Sequence, residues 1–273
     1  MIHVSILIPV YNSERTLRRT LDSVLFQISS KHEIIIIDDC SVDTSVRILS
    51  EYFMVHAAIR FFRLPRNLGC TSALNYGLAL CRGELVARVD SDDVFLPGRL
   101  VYQEKIFREN ADVGLVGCAS VTSNLITGEI SVSNKELGDR EILRLMKRKN
   151  IFVHSSVMFR RCAIGSYPAK YNVSQDYAAW MRLLFESSWK TIVIDQLGCG
   201  REIHPGCVSL RHGFRQIRVG YLVRANYIPT INNVRATSLH LIGHLKGVIK
   251  IWIASSLAKI GSVIAKTLTL MKK

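Results

Sequence analysis

The chain has 273 residues, a length that accommodates one large domain or one domain with an appendage. Apolar residues make up 48% of it, which argues against intrinsic disorder and provides for a sizeable core. The net charge is +14, but residues 203–273 hold eleven Lys and Arg and no acid, leaving about +3 for everything before them. The basic character therefore belongs to the C-terminal tail, and its match is something anionic, a membrane surface or a nucleic acid.

Met1 to Ser5 lacks the basic segment, apolar run and small-residue cleavage site of a secretory signal, and reads as the approach to a first strand. Val4 to Val10 (VSILIPV) is an apolar run of buried-strand length. A helix follows, with Leu17, Leu21, Val24, Leu25 and Ile28 on one face and Ser13 as its expected N-cap. Glu33 to Ile37 predicts a second strand, which ends on the polar turn Asp38-Asp39-Cys40-Ser41. A second helix passes through Val46, Leu49 and Tyr52, and Ile59 to Leu64 predicts a third strand. Asn67-Leu68-Gly69 is a turn into a helix striped by Ala73, Leu74, Gly77, Leu78 and Cys81. Leu85 to Val89 predicts a fourth strand that runs straight into Asp90.

Strand–helix repetition of this kind gives an α/β fold with a mostly parallel, Rossmann-like sheet flanked by helices. Ligands of such sheets bind beyond the carboxyl ends of the strands. Four polar clusters fall at those ends: Tyr11-Asn12, Asp38-Asp39, Asn67 with Gly69, and Asp90-Ser91-Asp92-Asp93. No G-x-G-x-x-G follows the first strand and no P-loop motif occurs, which disfavours a dinucleotide-dependent dehydrogenase or a P-loop enzyme.

Beyond residue 112 the pattern is less regular. Strands are expected at Val113–Val116, Val153–Phe159 and Ile192–Ile194, with helices over 139–149 and Gln175–Phe185. The seven cysteines are odd in number and include no C-x-x-C pair, which favours reduced, mostly buried thiols in a cytosolic protein and disfavours a zinc site. From about 239 the tail mixes apolar residues with lysines that interrupt every apolar run before eighteen residues. An interfacial amphipathic helix suits this composition better than a membrane-spanning one; the alternative is a helix packed on the domain.

Two carboxylates one residue apart at the end of a buried strand, Asp90 and Asp92, converge on a hard divalent cation such as Mn2+ or Mg2+. The set VSILIPVYN (4–12), IIIIDDCSVDTS (34–45), RNLGCTSALNYGLALCRGE (66–84) and ARVDSDD (87–93) resembles the family 2 glycosyltransferases of the GT-A fold. The likeness continues through DVGLVGC (112–118), VHSSVMFRR (153–161), QDYAAWMRLL (175–184) and REIHPGCVSLR (201–211).

The resemblance implies a GT-A domain over 1–211, with a nucleotide-binding half (1–93) and an acceptor half (94–211), followed by a basic, apolar helical tail (212–273). It implies that Pro9, Tyr11, Asn12, Asp38, Asp39, Asn67, Gly69 and Asp90 line the nucleotide pocket, with Asp39 on the base, typically uracil. Asp92 and Asp90 would hold the metal, joined by His204, and Asp93 would support the loop. Asp176 matches the catalytic base of an inverting transfer, and Gln175 stands where the family usually has Glu. Removing that neighbour reduces like-charge repulsion on Asp176. His154 faces the acceptor or ends a strand, while Trp180 and Arg182 serve packing and support.

The expected activity is transfer from a UDP-sugar to a glycan or lipid-linked acceptor in cell-surface polysaccharide biosynthesis. The expected place is the cytoplasmic, inner face of a membrane, reached through the anionic lipid surface. A non-catalytic nucleotide-sugar-binding protein is the alternative. The tail lacks a helix-turn-helix or an aromatic-and-basic stacking arrangement, so no nucleic-acid partner is expected.

Overall fold

The computed structural model describes residues 3–133, 135–204, 207 and 213–228. In chain order the first half comprises β1 (Val4–Val10), α1 (Leu17–Leu25), β2 (His32–Asp38), α2 (Ser45–Val55), β3 (Ile59–Arg63), α3 (Cys70–Leu80) and β4 (Leu85–Arg88). The second half comprises β5 (Val94–Phe95), α4 (Arg99–Glu109), β6 (Val113–Asn124), β7 (Ile130–Ser133) and α5 (Asp139–Met146). A 3₁₀ turn (His154–Ser156) then leads into β8 (Val157–Arg160), α6 (Arg161–Ile164), α7 (Gln175–Glu186), β9 (Lys190–Ile203) and α8 (Gly213–Tyr227).

The strands form one sheet in the order β3-β2-β1-β4-β8-β6-β9-β5, and β7 pairs with β6. β1 pairs in parallel with β2 and β4, and β2 with β3, as the strand–helix repetition predicts. Beyond β4 the sheet is mixed: β8 runs antiparallel to both β4 and β6, whereas β6 and β9 are parallel. The all-buried sequence of β1 follows from this placement. Its side chains alternate between two cores, as period-2 geometry requires. Leu7 joins Ile35, Ile37, Val86 and Trp180 on the α3/α7 side, while Ile6 and Ile8 join Ile34, Ile36, Leu17 and Leu21 on the α1 side.

Three local expectations change. Ser13 does not cap α1: the N-cap is Thr16, whose side chain makes no capping bond, and Ser13 Oγ instead meets Ser91 Oγ at 2.6 Å. The strand expected from Val153 begins at Val157, because residues 154–156 form a 3₁₀ turn. The short strand at Ile192–Ile194 is the N-terminal part of the fourteen-residue β9, which follows β6 through register shifts. Of the cysteines, Cys81, Cys118, Cys199 and Cys207 are buried and Cys162 is exposed. Among the described residues no helix is long and apolar enough to cross a membrane. The stretch from 239 onward lies outside the described residues.

Candidate active site

The ends of β1, β2 and β3 are tied together by their own polar side chains. Asn12, at φ +50°, accepts from Val42 N–H through Oδ1 (2.9 Å), and its own N–H donates to Ser41 Oγ (2.9 Å). Asn tolerates this left-handed backbone. Asp39 accepts from the N–H groups of Leu68 (2.7 Å) and Gly69 (2.8 Å). Burial raises its carboxyl above the ordinary range against the pull of those two donors. Gly69 has φ +85° and ψ 158°, a region essentially confined to glycine, so this turn requires it.

Tyr11 is half exposed on the rim, and Asn67 is exposed beside Gly69. Pro9 is buried within β1 opposite Ile37. Asp38 is wholly buried; it accepts from Ser41 N–H (3.1 Å) and lies 3.3 Å from Arg63 Nε. Its role in the structure is to support the turn, and Asp39 is the member of the pair that ties the two loops together.

One oxygen from each of Asp90, Asp92 and Asp93 lies within 4.8 Å of the others. Hard oxygen donors at this spacing fit a divalent cation. The three carboxylates are held differently. Asp90 accepts from Arg88 Nη2 through Oδ1 and from Ser155 Oγ through Oδ2 (3.0 Å). Burial alone would raise the Asp90 carboxyl, but Arg88, aided by His154 and Ser155, holds it below the usual range. Asp92 is a third exposed, with His204 Nε2 3.4 Å from its Oδ2. Burial and then Asp90 raise its carboxyl. Asp93 is buried 3.6 Å from Arg201 Nε, and burial and Asp90 push it up to about 7. The loop itself is cradled by α1: Thr16 Oγ1 donates to Ser91 O (2.8 Å) and Thr20 Oγ1 to Asp93 O (2.8 Å).

Below Asp90 lies a support that the motif alone does not reveal. Arg88 is wholly buried. Arg99, also wholly buried, donates to the carbonyls of Arg88 (2.9 Å), Ser155 (2.5 Å) and Val157 (3.0 Å). It thereby staples the end of β4 to the 3₁₀ turn and sets Ser155 against Asp90. The available signal was the period of two, which places Arg88 and Asp90 on one face of the strand. Nothing local marks Arg99, Ser155 or Asn150.

Asp176 comes from the opposite half, in the first turn of α7. Asn150 Nδ2 donates to its Oδ2 (2.7 Å). Burial raises its carboxyl, Tyr177 N–H and Asn150 oppose this, and Asp90 adds repulsion. The neutral Gln175 removes one like charge, yet burial still leaves Asp176 above the ordinary range. Gln175 Nε2 instead meets Cys70 Sγ at 3.8 Å, a thiol that burial pushes up to about 12.

His154 Nε2 lies 2.9 Å from Tyr167 Oη, and its ring packs against Tyr167 and Trp180. Burial, then Arg88, lowers it well below the usual imidazole range, so it is a neutral wall of the site. Trp180 is fully buried in this aromatic group, and Arg182 donates to Ile164 O and Ser166 O. Both serve packing and support.

A parallel half whose strand ends converge on an aspartate cluster, joined to a mixed half that contributes one partly buried carboxylate, defines a GT-A glycosyltransferase. Residues 5–166 match the glycosyl transferase family 2 profile, and the chain belongs to that family. It is 27% identical over 234 residues, covering 82% of this chain and 84% of the relative, to the UDP-Gal:alpha-D-GlcNAc-diphosphoundecaprenol beta-1,3-galactosyltransferase of Escherichia coli. It is 32% identical over 190 residues, covering 67% and 72%, to the Escherichia coli O-antigen biosynthesis glycosyltransferase WbnJ. The fold is similar to that of the Pyrobaculum calidifontis mannosyltransferase PcManGT in complex with GDP-Man and Mn2+, with TM-score 0.67 and 18% identity over 99% of this chain and 81% of that one. It is also similar to Staphylococcus aureus TarS 1–349 in complex with UDP-GlcNAc, with TM-score 0.66 and 18% identity over 88% and 72%.

Proposed function

We propose that this glycosyltransferase moves a sugar, with inversion, from a UDP-sugar to a glycan or lipid-linked acceptor in cell-surface polysaccharide biosynthesis. One observation carries the reading: the three-carboxylate cluster shares a rim with the Asn12 and Asp39 turns and faces a single partly buried carboxylate, Asp176, from the other half. The UDP-linked donor of the Escherichia coli galactosyltransferase and its diphosphoundecaprenol acceptor support the donor and acceptor classes.

In this reading Tyr11, Asn12, Asp39 and the Asn67–Gly69 turn receive the nucleotide. Asp39 keeps lone pairs beyond those used by Leu68 and Gly69 and accepts from the base N–H. Asp92, a third exposed and free of a short ion pair to a buried arginine, is the principal ligand of Mn2+ or Mg2+, with Asp90 beside it and His204 at its flank. Bound there, the cation would neutralise charge on the departing diphosphate. Asp90, with one oxygen on Arg88 and the other on Ser155, holds its orientation as the donor arrives. Asp176 takes the proton from the acceptor hydroxyl as it attacks the anomeric carbon, and Asn150 fixes the carboxylate for that step. A single base suffices for one displacement and so for inversion.

The acid-free sequence after Glu202 supports attachment to the inner face of a membrane through anionic lipids. Equal solubility and no vesicle binding for the full chain and a chain ending near 238 would count against that attachment.

A thermal-shift screen of nucleotide sugars with Mn2+ tests the donor. A ligand at a hundred times its Kd stabilises the folded state by about 2.7 kcal/mol. A UDP-sugar is expected to stand out, and the anomeric proton of the product is expected to report the configuration opposite to the donor's. No stabilisation by any nucleotide sugar, or a retained configuration, contradicts the reading.

A further inference from the structure

Helix α8 presents the wrong residues to water. Its inner face packs Gly220 and Val223 toward Tyr177 and the core beside α7, and Ser174 Oγ at the start of α7 donates to Gln216 O (3.4 Å). The opposite stripe should then be polar. It carries Phe214 (63% exposed), Tyr221 and Leu222, interspersed with exposed Arg215 and Arg218. The spacing 214, 218, 221, 222 follows one helical face. Single exposed apolar residues are ordinary, but an aromatic and aliphatic stripe rimmed by arginines and lacking any acid is not.

A second basic element adjoins it. Lys147, Arg148 and Lys149 are exposed in the turn after α5. Favourable interaction with the negative end of α5 accounts for some basic charge there. It does not account for three consecutive cations, none of which has a carboxylate within 4.0 Å among the described residues, whereas Arg144 and Lys135 share Glu141. The two elements border one another. The Phe185 ring lies 5.9 Å from Lys147 Nζ on one side and 5.6 Å from the Tyr227 ring on the other. The residue that follows the basic turn is Asn150, the one that holds Asp176.

We propose that α8 and the 147–149 turn form one docking face for an anionic lipid surface, with the stripe of Phe214, Tyr221 and Leu222 at headgroup depth and the five basic residues on lipid phosphates. Aromatic rings and basic side chains together are the signature of the membrane–water interface. The sequence continues from α8 into 46 more residues without an acid, so the face and the chain that leaves it have the same charge. The docking places Asp176 at the border of the lipid-facing surface, where an acceptor anchored in that surface presents its hydroxyl. This last step rests on the proposed transferase function; the docking itself does not.

The test uses the full chain and sedimentation with vesicles of phosphatidylcholine alone or containing phosphatidylglycerol. One variant carries Phe214→Ser, Tyr221→Ser and Leu222→Ser; the other carries Lys147→Glu, Arg148→Glu and Lys149→Glu. All six positions are exposed, so melting temperature serves as the folding control. Wild type is expected to bind the anionic vesicles, more weakly as salt rises, and not the neutral ones. Each variant is expected to lose about tenfold or more in partitioning: a basic contact at an anionic surface contributes about fivefold and three are reversed in one variant, while the other removes the apolar side chains that enter the interface. Binding by both variants equal to wild type would assign any attachment to residues 229–273 and overturn the proposal, as would equal binding to neutral vesicles. UDP-sugar hydrolysis without vesicles reads the transferase function separately: its absence would remove the acceptor step and leave the docking result standing.

Discussion

The two halves of the molecule solve the placement of charge in different ways. In β1 to β4, polar groups sit at the ends of short parallel strands, of which β1, β2 and β4 are fully buried, and neighbouring loops hold them in place: Asn12 on Val42, Asp39 on Leu68 and Gly69. In the second half Asp176, the base of the proposed mechanism, stands at a helix start and accepts from a loop residue, Asn150. In the proposed mechanism the first half receives the charged donor, and the second provides one base, raised by burial. Binding of the donor and proton transfer are therefore separable by mutation.

The largest expected effect is that of Asp176→Asn. Loss of a general base lowers turnover by about 10²–10⁴-fold. The same change is not expected to destabilise the fold. A carboxyl raised by burial opposes folding once pH exceeds its unfolded-state value, about 3.9, so the neutral isostere removes that cost at pH 7. Melting no lower than wild type, together with lost turnover, would sharpen the contrast; a large drop in melting temperature would make Asp176 a structural residue.

Asp92→Ala is expected to reduce turnover by about 10²-fold through weaker donor binding in the presence of Mn2+, with loss of the metal's Lewis-acid contribution. A smaller effect, of about tenfold, is expected for Asn150→Ala, and it has a direction. Asn150 lowers the Asp176 carboxyl, so its removal lets burial raise that carboxyl further. The acid limb of kcat/KM should move to higher pH, with rates converging above it. An unmoved limb would break the assignment of Asp176 as the titrating base. The smallest effect on chemistry is that of Gly69→Ala, which forces a side chain into a glycine-only backbone region and costs about 1–3 kcal/mol of stability.

The same contrast explains what the sequence revealed. β1 is found at its expected bounds, and β2 to β4 within a residue or two at either end, because continuous apolar runs bounded by polar turns leave little ambiguity. In β9, exposed Asp195, Gln196 and Leu197 interrupt the apolar pattern, so only the segment before them is visible, and its full length comes from pairing with β6. The 3₁₀ turn at His154–Ser156 reads locally as strand; Arg99 and Asp90, distant in sequence, bind it in the conformation observed. Asp90, Asp92, Asp93 and Asp176 could be picked out as a motif and a resemblance. Arg88, Arg99, Ser155 and Asn150, which aim them, could not, since their significance lies in contacts made only after folding.

The central claim, that donor binding belongs to one half and proton transfer to the other, is tested most directly by calorimetric titration of UDP with Mn2+ into Asp92→Asn and Asp176→Asn. Asp176→Asn is expected to bind within about threefold of wild type, and Asp92→Asn to lose about tenfold or more, a loss of at least 1.4 kcal/mol. Equal affinities for the two variants, or the reverse order, would contradict the account.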